Sequence, residues 1–243
     1  MTKHIFIIIA LLSILTVSSG IALPAIRVNI IAIDTVPETT ASIRPENLRW
    51  MLSVLNRDFH SFDNRRFANF ILGKIITYTE SCQLDPTIAA TAHGRARWTA
   101  LRATGRNGIP RSPLMDPAAL NIFLYHDPDS NARSTGAFYN RWISKNGNRQ
   151  TLWYPTALLH WRVLKNKYEK LVLHEVGHAF GLSHVRPEEP GSRYPSNIMS
   201  GDEHDPTLSD PTRGYFFTQS QSAILLRNIS FFEKTASHHE TDL

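Results

Sequence analysis

Between residues 174 and 184 the chain reads H-E-V-G-H-A-F-G-L-S-H. His174, Glu175, His178, Gly181 and His184 therefore occupy every fixed position of the pattern H-E-x-x-H-x-x-G-x-x-H. On an α-helix, residues four apart stand one turn above each other on the same face, so the imidazoles of His174 and His178 converge. Glu175 then lies about 100° round the helix from His174, beside a metal held there without ligating it. Gly181 ends the helix, because glycine accepts the left-handed backbone that lets a chain turn sharply. The turn returns His184 as a third nitrogen donor. Three protein ligands and one open position describe a catalytic zinc site, whereas a structural site is closed by four. Zinc in such a site supplies a Lewis acid that lowers the pKa of water towards about 7. A carboxylate placed like Glu175 could then act as general base towards that water.

The flanks agree with a helix over residues 168–180, with Leu171, Val172, Val176 and Ala179 available to face a core. Fifteen residues after His184 comes Met199, in the context Asn197-Ile198-Met199-Ser200. The long motif and this methionine together resemble the metzincin zinc metalloproteases, which place a methionine-containing turn beneath their three histidines. Serralysins and astacins carry a tyrosine two residues after that methionine. Here the position is Gly201, so no tyrosine ligand is expected from it. The chain is more similar to matrixins and to pappalysin-like enzymes such as ulilysin. The likeness extends to the order of elements around the motif: a strand opening L-N-I at Leu120, a Gly-containing edge strand at 134–139, another strand at 150–154, then the zinc helix. It also includes an F-T-x-x-Q segment, Phe217 to Gln221, that opens a last helix. Thr218 and Gln221 read on their own as a capping box.

These elements must be held by a framework, and the rest of the chain supplies one. Residues 26–33 read as a first strand, and residues 45–59 as a helix with Leu48, Leu52 and Leu55 at helical spacing. Residues 71–79 and 95–103 are further strand candidates, while 85–93 and the Gly/Pro-rich run 104–117 read as loops. The expected fold class is α+β, resembling the metzincin-like zincin fold. It has a twisted mixed five-stranded sheet and two long helices in an upper lobe, residues 23–181. An irregular lower lobe, residues 182–243, ends in a C-terminal helix, with a polar tail from Thr235 expected to fray.

The amino terminus points to export. Lys3 and His4 precede an apolar run, residues 5–17, followed by Ser18-Ser19-Gly20-Ile21-Ala22. This is the pattern of a signal peptide over residues 1–22, cleaved after Ala22 or Ala25, which implies a secreted or periplasmic protein. The rival reading is an uncleaved anchor, which the polar residues at 13, 16, 18 and 19 weaken. The remaining stretch of about 220 residues suits a single domain with a sizeable core. An apolar fraction of 42% with 19% charged residues excludes disordered and fibrous classes. The net charge of +5 is dispersed, with no zinc-finger, helix-turn-helix or phosphate-loop pattern, so no nucleic-acid partner is expected.

One cysteine, Cys82, excludes an intrachain disulfide. It lacks the matrixin P-R-C-G context, so it reads as a buried inert thiol rather than a latency switch. His60, His93, His126, His160 and His204 are isolated and read as surface or hydrogen-bonded residues. Calcium could be held by the oxygen-rich loop Asp127-Pro128-Asp129-Ser130-Asn131 or by the cluster Asp202, Glu203, Asp205 and Asp210. The first fails the EF-hand pattern, with Ala132 in place of its glycine and Phe138 at the twelfth position.

The expectation is thus a secreted zinc endopeptidase, a monomer, with His174, His178 and His184 on the metal, Glu175 as base, and Gly181 and Met199 supporting the site. By resemblance, a peptide or protein substrate lies extended against the edge strand near 134–142. The loop 185–215 shapes the side-chain pockets. Two rival classes are a zinc-holding binding protein with little turnover and a membrane-tethered accessory protein. An intact Glu175 argues against the first.

Overall fold

The computed structural model describes residues 23–33, 41–61, 63–78, 116, 118–125, 136–143, 151–185, 197–200 and 215–240. The signal segment, the strand candidate 95–103, the loops 85–93 and 104–115, Cys82, both acidic loops and His93, His126 and His204 lie outside these residues. Five strands form one sheet: β1 (Ala25–Ile33), β2 (Asn69–Tyr78), β3 (Ala119–Tyr125), β4 (Gly136–Ile143) and β5 (Thr151–His160). Their spatial order is β2-β1-β3-β5-β4. The first four in that order run parallel, and β4 pairs antiparallel with β5 on the far edge.

The central strand β3, ALNIFLY, is buried at every residue. A nearly continuous apolar run suits a parallel strand covered on both faces, and its one polar residue, Asn121, donates its amide to Asp116 O and Ala119 O. At the other end β2 is an edge, and Ile71, Leu72 and Ile75 are exposed there among the described residues. A bulge interrupts the β1–β2 register between Val28 and Ile30. Asn29 Oδ1 fills it by accepting the backbone N–H of Lys74 at 2.8 Å. A Cβ on Gly73 would lie 2.2 Å from that same oxygen, so only glycine fits there.

Among the described residues the helices that frame the sheet are α1 (Pro45–Asp58), α2 (Trp161–Lys165), α3 (Glu169–Ala179) and α4 (Gln219–Glu240). In α1, Leu48, Met51, Val54 and Leu55 form one buried stripe, the pattern of a surface helix packed on a core. Asn56 joins α1 to β2 through both halves of its amide: Nδ2 donates to Phe70 O at 2.9 Å, and Phe70 N donates to Oδ1 at 2.8 Å. Where α1 ends, Phe59 packs against Phe67, Phe70, Phe180 and Phe217, with ring centroids 5.1–6.3 Å apart. This cluster unites the end of α1, the approach to β2, the end of α3 and the approach to α4.

Element ends shift by a few residues from the sequence reading, and three departures are larger. β5 runs on to His160, because residues 156–160 pair with β3; Pro155 lies before that ladder and opposite Tyr139 in the ladder with β4. His160 then turns the chain into the short α2, its Nδ1 accepting the N–H of Arg162 at 3.3 Å. That buried capping role fits the hydrogen-bonded reading of this histidine. At the carboxyl end α4 continues to Glu240 through the segment expected to fray. Phe232 is buried against Phe180, and Ala236 packs on the core, so apolar contacts carry the helix past its polar sequence. No helix among the described residues is long and apolar enough to cross a membrane.

Phe59→Ala should reduce stability by about 3–5 kcal/mol, because it empties the middle of the aromatic cluster. Urea unfolding measures this, and a loss below about 1 kcal/mol would mean that the cluster does not join these elements.

Candidate metal centre

The helix carrying the motif is placed before its ligands are used. Lys167 adopts a left-handed backbone, φ 59°, in the turn between α2 and α3. Its Nζ donates to Asn47 Oδ1 at 2.6 Å and stands 4.7 Å over the Trp50 ring, which ties the entry of α3 to α1. Burial pulls this ammonium below its ordinary pKa, with the charge of Glu46 opposing. Arg57 adds a bridge from α1, 2.6 Å to Asp58 and 2.9 Å to Glu169 in the first turn of α3. The hydrogen bond it donates to Asp58, then that to Glu169, holds its pKa above the ordinary value against some desolvation. Arg57 is largely exposed, so this bridge orients the helix more than it stabilises it.

Beyond its first residue α3 is buried almost all round, from Lys170 to Gly177 and again at Ala179. Its end is a Schellman motif. Leu182 N donates to Gly177 O at 3.0 Å and Gly181 N to His178 O at 2.8 Å. Gly181 takes the positive φ, 88°, that this geometry demands. The reversal brings His184 back over the helix. His174 is fully buried, His178 half-buried and His184 exposed, so the group opens to solvent on the His184 side.

The three imidazoles converge. His174 Nε2 lies 3.0 Å from His178 Nε2 and 3.0 Å from His184 Nε2. These three residues are the group of His, Cys, Asp and Glu side chains that could hold a metal among the described residues. The opposite nitrogens decide the protonation. His174 Nδ1 is 2.8 Å from Ile198 O and His178 Nδ1 is 2.7 Å from Leu182 O. A carbonyl can only accept, so both Nδ1 atoms carry hydrogen, and in the neutral rings both Nε2 atoms present lone pairs. One proton could bridge one such pair, but three nitrogens facing a common point ask for a cation. Ligands set tetrahedrally at the usual zinc–nitrogen length of about 2.0–2.1 Å lie about 3.3 Å from one another, close to the spacing found. The donor set therefore fits zinc, and imidazole nitrogen is a ligand that zinc favours. Glu175, next to His174 on the helix, is 2% exposed.

The turn 197–200 lies against this helix. Its own closure uses Ser200 N to Asn197 O at 3.2 Å and Met199 N to Asn197 Oδ1 at 2.9 Å. Ile198 N donates to Phe216 O at 3.1 Å, and Val185 N to Met199 O at 3.0 Å, so the turn is stitched to the segments on either side of it. Met199 is fully buried, and a Cβ on Gly177 would come 2.7 Å from its sulfur. From above, α4 closes the helix end: Asn228 Nδ2 donates to Phe180 O at 2.7 Å. The capping box that starts α4 is present, with Thr218 N donating to Gln221 Oε1 at 2.8 Å and Gln221 N to Thr218 Oγ1 at 3.4 Å.

All six residues read from the sequence as the site are described, and the three histidines, Gly181 and Met199 gather here with Glu175 on the same helix. Gly177, Ile198 and Asn228 were not singled out by sequence. Gly177 had a signal: glycine inside a helix costs about 1 kcal/mol relative to alanine, which points to a close packing partner. Ile198 contributes a backbone carbonyl, which no side-chain pattern reveals.

No protein-family model matches the chain, and no curated protein matches it. Among solved structures it is similar to metalloproteinase-II from Bacteroides fragilis, at 11% identity and a TM-score of 0.43, covering 85% of this chain and 54% of that one. It is similar to Tannerella forsythia mature mirolysin in complex with a cleaved peptide, at 14% identity and a TM-score of 0.41, covering 70% and 67%. A zinc-dependent peptidase from Methanocorpusculum labreanum matches at 16% identity and a TM-score of 0.34, over 82% and 99%. The chain thus spans about half the length of metalloproteinase-II, and 35% of a chain matched in a chaperone-substrate complex. These likenesses are loose, and the chemistry rests on the imidazoles themselves.

Gly177→Ala tests the packing beneath the site. Alanine gains up to about 1 kcal/mol of helix propensity. The clash with a fully buried thioether should outweigh it, giving a net loss of about 1–3 kcal/mol. A thermal melt of the metal-free protein decides the sign, and a higher Tm would mean that Met199 moves aside freely.

Proposed function

We propose that this chain is a zinc-dependent endopeptidase of the metzincin type, with His174, His178 and His184 holding the ion and Glu175 acting as general base. The observation that carries the reading is the convergence of three Nε2 atoms, with the Nδ1 atoms of His174 and His178 fixed as donors by backbone carbonyls. Three donors and an exposed side leave room for a water and a substrate carbonyl. Zinc bound there would supply Lewis acidity to that water and carbonyl.

The chain's own residues divide the remaining work. Glu175, buried one position after His174, takes the proton of the attacking water and returns it to the leaving amine. The carbonyls of Ile198 and Leu182 keep the ligand tautomers fixed throughout, so no imidazole turns away when charge develops. Met199, packed under Gly177, supports reading the turn 197–200 as the methionine turn of the metzincins. Strand β4 lies at the edge of the sheet and pairs with β5 on one side. An extended peptide added to its outer edge would gain main-chain hydrogen bonds without sequence selection.

The same reading makes the protein secreted or periplasmic after removal of residues 1–22, acting on peptide or protein substrates as a monomer. Pro24 O accepts the N–H of Asn69 at 2.7 Å, and Ala25 is the first residue of β1. Cleavage after Ala22 keeps both contacts of the sheet, whereas cleavage after Ala25 removes them. Edman sequencing of the mature protein should therefore begin at Leu23.

Zinc-replete protein incubated with an unfolded protein should make internal cuts, mapped by mass spectrometry. Glu175→Ala should retain zinc and lose activity by about 10²–10⁴-fold. His178→Ala should lose zinc and activity together. A folded Glu175→Ala with full activity removes the base from this scheme, and a wild type that binds no zinc removes the metal.

A further inference from the structure

The residue one turn before His174 on the same face of α3 is Lys170, and it is 7% exposed. An ammonium is expensive to bury, and an aliphatic side chain would fill the same space without that cost. Its Nζ donates to Ser200 Oγ at 2.7 Å, across thirty residues of sequence. Ser200 Oγ in turn donates to Asn197 O at 2.9 Å. The order of donors is forced: an ammonium can only donate, so the hydroxyl accepts from it and must spend its single proton on Asn197. Lysine thereby fixes a hydroxyl rotor that closes the turn 197–200.

That turn presents Ile198 O to His174 Nδ1. The helix consequently meets it at three successive levels: Lys170 on Ser200, His174 on Ile198 O, and Gly177 against Met199. The lower contact sets the height and tilt of the turn, and the middle contact sets the tautomer and ring plane of the most buried ligand. We infer that Lys170 is a positioning residue of the metal centre, acting through Ser200 and the turn 197–200 on the carbonyl that orients His174.

This rests on the zinc reading, and the experiment separates the two. Zinc affinity is measured by competition with a chromogenic chelator for the wild type, Lys170→Met, Ser200→Ala and the double variant, with the visible spectrum of each cobalt-loaded protein alongside. Contacts that orient a ligating imidazole are worth about 10- to 100-fold in metal affinity, and Lys170→Met should lose that much. The cobalt bands should shift, because the His174 ring is no longer held. Ser200→Ala should move both readouts the same way, and the double variant should bind no more weakly than Lys170→Met alone, since one chain of contacts is broken twice. Affinity within threefold of wild type in folded Lys170→Met, or losses that add in the double variant, overturns the inference. Should Lys170→Met fail to fold, Ser200→Ala decides: unchanged affinity and spectrum overturn it, and a shift in both sustains it. A wild type that binds no zinc overturns the zinc reading and this inference with it.

Discussion

Two backbone carbonyls, Ile198 O and Leu182 O, hold the Nδ1 atoms of His174 and His178, and the centre depends on them more than on any other contact. An imidazole in water exchanges tautomers and rotates; one whose Nδ1 hydrogen is taken by a fixed acceptor keeps its other lone pair aimed in one direction. With two rings so held, and His184 returned beside them, the three Nε2 atoms crowd together in an arrangement that a cation relieves. The surrounding fold exists, in this sense, to keep two carbonyls in place.

They are supplied in different ways. Leu182 O comes from the Schellman turn that ends α3, so the helix termination and the orientation of His178 are one event. Ile198 O comes from a separate segment, and its position needs the bridge to Phe216, the packing of Met199 under Gly177 and the bond from Lys170. Phe217, the next residue along, belongs to the aromatic cluster centred on Phe59. The chain of support therefore runs from His174 to the join between α1 and β2. A buried helix with polar residues at chosen points is expensive, and here the buried polar residues of α3, Lys170, His174 and Glu175, lie at the centre or beside it.

Much of this was legible because it is local. The spacing of the histidines, the glycine at 181 and the Thr218–Gln221 capping box each concern residues within a turn or two of one another, and the backbone meets them as read. The helix at 45–58 and the strands around Ile30 and Ile122 follow from apolar periodicity. Elements that escaped the reading depend on neighbours far along the chain. β5 runs on past Pro155 because residues 156–160 find β3, and α4 outlasts its polar tail because Phe232 finds Phe180. Lys170 carries no local signal, since its acceptor lies thirty residues away.

The sequence by itself determined the set of three imidazoles, the order of His174, Glu175 and His178 along α3, and the point at which the chain reverses. Helical geometry repeats every few residues, so spacing alone carries that information. Only the tertiary structure decided which nitrogen of His174 faces the other two imidazoles and what keeps it there. The acceptor is a main-chain oxygen twenty-four residues distant, identical in kind to every other carbonyl, and its selection follows from packing that closes over the whole domain.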